Sequence, residues 1–193
     1  GKAACELTWE WFHPNEEVPY FIQLLGAYDT WRNSNQDFWK DIILPFQYGM
    51  QMYDLNPETH MDSWELYFED LDPNFSTIPL IITDGQSILR WNYQRNAQNA
   101  EHNAYEAEFE GLRAICINSL EHSSSILDSV YNPDIHDIMI VYTHQKDSWY
   151  VSLYSTKNNI DCSKLASKYG GGGHFSASGF KISNGQNLPW SIL

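Results

Sequence analysis

Positive charge is scarce in this chain. Only 11 Lys and Arg stand against 25 Asp and Glu, a formal net charge of −14. Long duplex DNA is held by many Lys and Arg contacts to phosphates, so that partner is excluded. A short anionic ligand at one local site is not excluded, because a glycine-rich concavity, a histidine or a metal can hold it without a basic face. Cysteine is equally sparse. Cys5, Cys116 and Cys162 are odd in number and far apart, with no Cys-x-x-Cys pair. That excludes the usual structural zinc site and fits a reducing, cytoplasmic setting. No apolar run approaches the length of a membrane span, and no secretory leader is seen. A soluble chain without a membrane partner is expected.

What is present is a core. The chain has 193 residues, 42% of them hydrophobic and 15% aromatic, which reads as globular, with one large domain or two small ones. The start, KAACELTWEWF, is helix-forming, with Ala4, Leu7 and Trp11 on one face. VPYFIQLLGAYDTWRN carries an apolar helical pattern that stops at Gly26. DTWRNSNQ reads as a loop, and helical pieces over 36–70 are separated by Pro45, Pro57 and Pro73. Residues 78–110 read as one long polar helix, a composition typical of a bridge between domains. After it the character changes. IHDIMIVYT and SWYVSLYS read as a β-hairpin, with Trp149, Val151 and Leu153 on one face. SKLASKY reads as a short helix capped by Asp161 or Ser163, and GFKIS as a final strand.

Residues 168–180 read KYGGGGHFSASGF. Four glycines permit close approach of a ligand to the backbone, and successive N–H groups can converge on an anion. His174 adds a donor whose charge appears near neutral pH. A glycine run after a helix also serves simply as a turn, so spacing leaves both readings open. Three other clusters carry weaker chemistry. EHSSSILDS places His122 near serines and Asp128, but adjacent helical residues diverge and no Gly-x-Ser-x-Gly elbow exists, so serines starting a helix is the better reading. Cys5 and Cys116 read as buried core residues. Arg90 and Arg95, within WNYQRNAQN, read as a solvated helix face rather than a track for a phosphate backbone.

GGGGHFSASGF resembles the GGGGHxxAAGF signature of the DHHA1 domain, the substrate-binding half of DHH-superfamily phosphoesterases. These include RecJ-type exonucleases, nanoRNases and exopolyphosphatase-related proteins. YVSLYSTKNNIDCSKLASKYGGGGH is similar to the family's sequence of strand, loop, helix and glycines, and the resemblance covers 110–193. It implies that Gly171, Gly172, Gly173 and His174 contact the phosphate end of the substrate. Two positions depart from the pattern. Tyr154 stands where many relatives carry Arg, with Lys157 a candidate substitute, and Ser178 replaces the second Ala.

In this family the other half holds the chemistry, through aspartates and an Asp-His-His motif that bind two metal ions, usually Mn2+. Paired ions activate a water and stabilise the transition state. No Asp-His-His tripeptide occurs here, and His13, His60, His102, His122, His136, His144 and His174 are scattered. KAACELTWEWF and LLGAYDTW do resemble the stretch that follows that motif, which makes Asp29 the match to the last metal-ligating aspartate. The resemblance thus implies an α/β (α+β) fold: the helical remainder of a DHH domain at 1–84, a connector helix at 85–109, and a DHHA1 domain with a mixed sheet at 110–193. It implies a metal-dependent phosphoesterase that binds a short oligonucleotide or phosphorylated nucleotide. Hydrolysis would need ligands beyond this stretch of chain. A non-catalytic nucleotide- or RNA-binding module is the alternative, a degenerate remnant held by its aromatic core a third reading, and a homodimer stays open.

Overall fold

A computed structural model of the protein describes residues 1–53, 56, 58–68 and 77–193. The breaks expected at Pro57 and Pro73 lie outside these residues. The chain divides into two compact units, Gly1–Asn92 and Tyr93–Leu193.

The first unit is helical. Helix α1 spans Ala4–Phe12 and α2 spans Tyr20–Asp29. α3 (Gln36–Phe38) is capped by the Asn35 side chain, which accepts from the Phe38 N–H at 3.1 Å. A π-helical turn, Trp39–Ile43, leads into α4 (Leu44–Gly49) and a 3-10 turn, Met50–Met52. α5 spans Met61–Phe68. Pro45 therefore does not separate helices. It sits near the start of α4, and the preceding π turn absorbs the mismatch created by its missing N–H. Gly26 does not stop α2 either. A Cβ there would lie 2.5 Å from Glu6 Cδ and 2.8 Å from the Arg32 guanidinium. The glycine makes room for a cross-tie: buried Glu6 accepts from Arg32 at 2.9 Å and from the Ala3 N–H at 2.8 Å. The core gathers Phe21, Leu24, Ile43, Phe46 and Ile81, with Phe21 stacked on Tyr67 at 5.0 Å. The face of α1 expected to be buried is not. Leu7 and Trp11 are 54% and 80% exposed, and Glu6 is the residue of α1 that is buried.

Helix α6 runs Ile78–Asn103. Ile78 and Ile81 join the first core, and Ala100 joins a core of the second unit. The polar middle leaves most side chains exposed, as its composition predicts. The helix ends seven residues earlier than read from sequence, because Tyr105–Phe109 is strand β1, whose Ala107 and Phe109 are wholly buried. The polar alternation of YEAEF marks a half-buried strand.

The second unit is built on one mixed sheet. Its strands are β1, β2 (Leu112–Asn118), β3 (Ile138–Gln145), β4 (Ser148–Tyr154), β5 (Gly172–Gly173), β6 (Ala177–Ser183) and β7 (Ser191–Ile192). The order is β5-β6-β4-β3-β2-β1-β7, with β2 and β3 parallel and all other neighbours antiparallel. GFKIS thus belongs to β6 but is not the last strand. β3 and β4 form the expected hairpin, with Tyr142 opposite Val151. One hydrophobic cluster collects Phe109, Ile140, Leu153, Phe180 and the helix α7 (Cys162–Ser167). A separate cluster collects Ile117, Val141, Ala100 and the 3-10 turn Ser124–Leu127. The sheet is thereby packed through both alternating sets of side chains. No helix among the described residues is long and apolar enough to cross a membrane.

Candidate functional site

The glycine loop begins where α7 ends. Asp161 caps the helix, its carboxylate accepting from the Ser163 and Lys164 N–H groups at 3.0 and 3.2 Å. The helix runs six residues, and three residues past its end the chain turns, with Gly170 at φ +76°. The Gly170 N–H donates to the Ser167 carbonyl and the Gly171 N–H to the Ala166 carbonyl. Gly172 and Gly173 then pair with Gly179 and Ser178 as a short edge strand. At His174 the chain reverses through Phe175 and Ser176, and the His174 N–H donates to the Ala177 carbonyl at 2.8 Å. The tip is held down by the Cys162 N–H on the Phe175 carbonyl and the Ser155 N–H on the Ser176 carbonyl.

This backbone differs from a concavity of converging amides. The N–H groups of Gly170, Gly171 and His174 all have protein partners. Bonded and non-bonded pairs alternate along an antiparallel ladder. The bonded His174–Ala177 pair therefore makes Gly173–Ser178 a non-bonded one, and the Gly173 N–H faces away from β6. The glycines are required for another reason as well. A Cβ at Gly171 would sit 2.1 Å from the Gly179 carbonyl oxygen, and one at Gly173 (φ +143°) 2.7 Å from Ser178 Cα. At Gly171 and Gly173 the loop lies against β6 too closely for a side chain.

Beside the loop is a cleft of about 450 Å3. Gly170 and Gly171 wall one side, and Tyr150, Ser152 and Lys181 rise from paired positions of β4 and β6. His122 closes the lining. Lys181 Nζ lies 5.2 Å from the Tyr150 ring centroid, a cation over an aromatic face. The His174 ring is exposed and has no partner among the described residues. Lys157, the expected cationic substitute, is in an ion pair with Asp137 at 2.8 Å, and this pairing holds the Asp137 carboxyl below its usual range. The cation in the cleft is Lys181 instead. Sequence reasoning missed it because its relation to the loop is set by register: Tyr150 opposite Lys181 and Ser152 opposite Gly179. Tyr154, expected from the resemblance to depart from the family pattern, is half-buried, and its hydroxyl donates to the His122 carbonyl. It orders one side of the cleft rather than charging it.

The remaining candidates separate from this site. Ser123 caps the 3-10 turn, accepting from the Ser125 N–H, while His122 Nε2 lies 3.3 Å from Gln145 Nε2, so no Ser-His-Asp relay forms there. Burial pushes the Cys116 thiol up to about 12 and the Cys162 thiol up to about 11, far from a thiolate nucleophile. Arg95 pairs with Glu121 at 2.6 Å. Asp29 is the exposed last residue of α2, and its carboxylate accepts no hydrogen bond among the described residues. No group of three or more His, Cys, Asp or Glu among them can hold a metal ion. One monodentate or bidentate carboxylate falls short of the several ligands a hard divalent ion needs. The described residues therefore do not fit the ion pair that the family implies.

Residues 119–190 match the family model of the DHHA1 domain. This segment is a DHHA1 domain. The DHHA1 match runs from just after β2 to the segment before β7, and so contains the glycine loop and every residue that lines its cleft. An uncharacterized protein of Acanthamoeba polyphaga mimivirus is 25% identical over 188 residues, 94% of this chain. The chain spans about two fifths of that relative, 41% of its length. Among solved structures, the pGpG-specific phosphodiesterase PggH from Vibrio cholerae is similar in fold. Its TM-score is 0.52 at 14% identity, covering 92% of this chain and 67% of that one. An exopolyphosphatase-related protein from Bacteroides fragilis matches at a TM-score of 0.34, 14% identity and 67% of this chain against 44% of its own, too low to bear on the fold. With its DHHA1 domain, the chain is a module related to the DHH-family phosphoesterases.

Proposed function

We propose that the DHHA1 domain grips the terminal phosphate of a nucleotide or short oligonucleotide through the glycine loop and its cleft. The observation that carries this is the juxtaposition of side-chain-free backbone at Gly170 and Gly171 with the Lys181 ammonium, over one cleft that also holds Tyr150 and Ser152. The cation supplies charge to a phosphate, Ser152 supplies a hydroxyl, and Tyr150 offers a face on which a base or ribose packs. Exposed His174 and the outward Gly173 N–H add donors at the rim. Gly171, Gly172, Gly173 and His174 are assigned to phosphate contact, with Lys181 in the role first given to Lys157. The reading gains support from PggH, which is named for hydrolysis of a short dinucleotide.

DHH-family relatives are metal-dependent in general, and PggH is a phosphodiesterase. We assign this chain the anchoring half of that division of labour: the loop fixes the register of the substrate, and the electrophilic ions are supplied by ligands beyond the residues described. Asp29 would give Mn2+ one ligand, and the rest would come from beyond the residues described. Because the described residues do not fit the ions, the chain by itself binds without hydrolysing. The test is direct. Titration with a 5′-mononucleotide is expected to give saturable binding that EDTA leaves unchanged, and that Lys181→Ala weakens about tenfold, as loss of a charge-assisted contact does. Manganese-dependent release of mononucleotide from a short oligonucleotide by this chain would overturn the assignment. So would mononucleotide affinity that Lys181→Ala and His174→Ala both leave unaltered.

A further inference from the structure

The second unit carries another cleft, of about 650 Å3, lined by Arg95, Asn96 and Asn99 from the last turns of α6 and by Asn118, Ser119 and Glu121 from the end of β2 and the segment after it. Leu120 and Ile126 supply its apolar surface. The opening lies beyond the C-terminal end of β2 where it runs parallel to β3, the place where sheets with parallel strands hold ligands.

Asn96 is the informative residue. It is only 4% exposed, yet it lines the cleft. Its Oδ1 accepts one long bond from the Arg95 guanidinium at 3.4 Å, and its Nδ2 donates to no atom of the described residues. Asn96 Nδ2 is not among the buried side-chain atoms left unbonded, so it opens to the cleft, where the acceptor of a ligand can complete it. Asn99 Oδ1 already accepts from Asn103 at 2.8 Å, and its own Nδ2 donates to no acceptor among the described residues. The charges here cancel, because Arg95 and Glu121 pair at 2.6 Å. A lining of carboxamides beside a closed ion pair does not select an anion. It selects a neutral planar group that carries adjacent donors and acceptors along its edge and apolar faces above and below. Nucleobases have that form, and an Asn carboxamide meets the adenine edge in bidentate fashion.

We propose that this cleft is a nucleobase subsite, best matched to adenine, with Asn96 and Asn99 reading the base edge. Glu121 lines this cleft and His122, the next residue, lines the glycine-loop cleft. One short segment therefore separates a base-reading site from the phosphate-gripping one. The inference rests on the phosphate reading only for why a nucleotide is the ligand. Its chemistry stands on the asparagines.

Two probes separate the sites: adenosine, which lacks phosphate, and ribose 5-phosphate, which lacks a base. Each is titrated into the full chain with amide resonances followed by NMR. Adenosine is expected to shift the Asn96, Asn99 and Asn118 side-chain amides. Asn96→Leu is expected to weaken adenosine at least about tenfold, the loss that follows removal of a bidentate contact. Because Asn96 is buried, Asn99→Ala at the half-buried rim provides a second variant, expected to weaken adenosine severalfold with folding intact. Ribose 5-phosphate is expected to shift Gly171–Gly173 and not the asparagines. Adenosine that leaves these amides unshifted, or that binds both variants as tightly as the parent, overturns the subsite. If ribose 5-phosphate still shifts the glycines in that case, the phosphate reading survives alone. Adenosine at the asparagines with no effect of ribose 5-phosphate supports the subsite and counts against the grip.

Discussion

Both units of this molecule bury an apolar core, but among the described residues the helical unit leaves more large apolar side chains on its surface. In the sheet unit, Ile140, Leu153 and Cys116 are wholly buried, and both alternating sets of strand side chains are packed. In the helical unit, Leu7, Trp11, Phe12 and Trp31 are all more than half exposed. They accompany an apolar cleft of about 430 Å3 lined by Cys5, Trp9, Phe12 and Ile22. Candidate chemistry divides along the same line. The glycine loop is held by backbone bonds at both ends and faces a cleft with its own cation. Asp29 stands exposed at a helix C-terminus, where the dipole disfavours a carboxylate and no second ligand is close enough to form a metal group. A binding loop can be completed by one sheet and one helix, whereas a metal site needs side chains from several segments at once.

That contrast can be broken by mutation. The largest effect is expected from Leu153→Ala, which empties a fully buried position of the sheet unit and should cost roughly 2–5 kcal/mol. Leu7→Ala in α1 should cost less than about 0.5 kcal/mol. Urea unfolding of both variants, followed by circular dichroism, checks the pair, and equal costs would erase the distinction. Next comes Gly171→Val. Its side chain meets the Gly179 carbonyl oxygen, so a loss of about 1–3 kcal/mol is expected, together with loss of mononucleotide binding. Gly172→Ala meets nothing within 4 Å and should be nearly neutral in the same melt. In the helical unit, Glu6→Gln weakens the charge-assisted bond to Arg32 and should cost about 1–2 kcal/mol, read as a lower midpoint of thermal unfolding.

The smallest effect concerns pH. The Asp137 carboxyl lies below its ordinary 3.8 because Lys157 and the Arg113 N–H stabilise its charged form. A depressed folded value contributes stability that is complete above the unfolded value and is lost as pH falls through the folded one. Stability of the sheet unit should therefore decline as pH drops below about 4. Lys157→Met should flatten that decline, by under about 1 kcal/mol for a half-buried pair still reached by solvent. Acid titrations of the melting midpoint measure it.

The legible parts were those written in local pattern. The β3–β4 hairpin, the Asp161 cap, the serine cap before the 3-10 turn and the glycine motif each lie within a few consecutive residues. The end of α6 was missed because YEAEF continues the polar composition of the helix, and only pairing with β2 makes it a strand. Gly26 read as a helix stop because its reason is distant in sequence: Glu6 and Arg32 need the space. Lys181 and Asn96 were passed over because a lone lysine in a strand and an asparagine in a polar helix carry no signal of their own.

Sequence alone determined the DHHA1 signature, the mixed α and β character, the position of the glycine loop and the excess of negative charge, because each depends on residue type and short-range spacing. Tertiary structure decided which amides the loop keeps for itself, which cation stands over its cleft, and that a buried asparagine looks into a second one. Those are matters of strand register and helix-to-sheet packing, where residues 30 or more positions apart are set side by side, as Tyr150 is with Lys181.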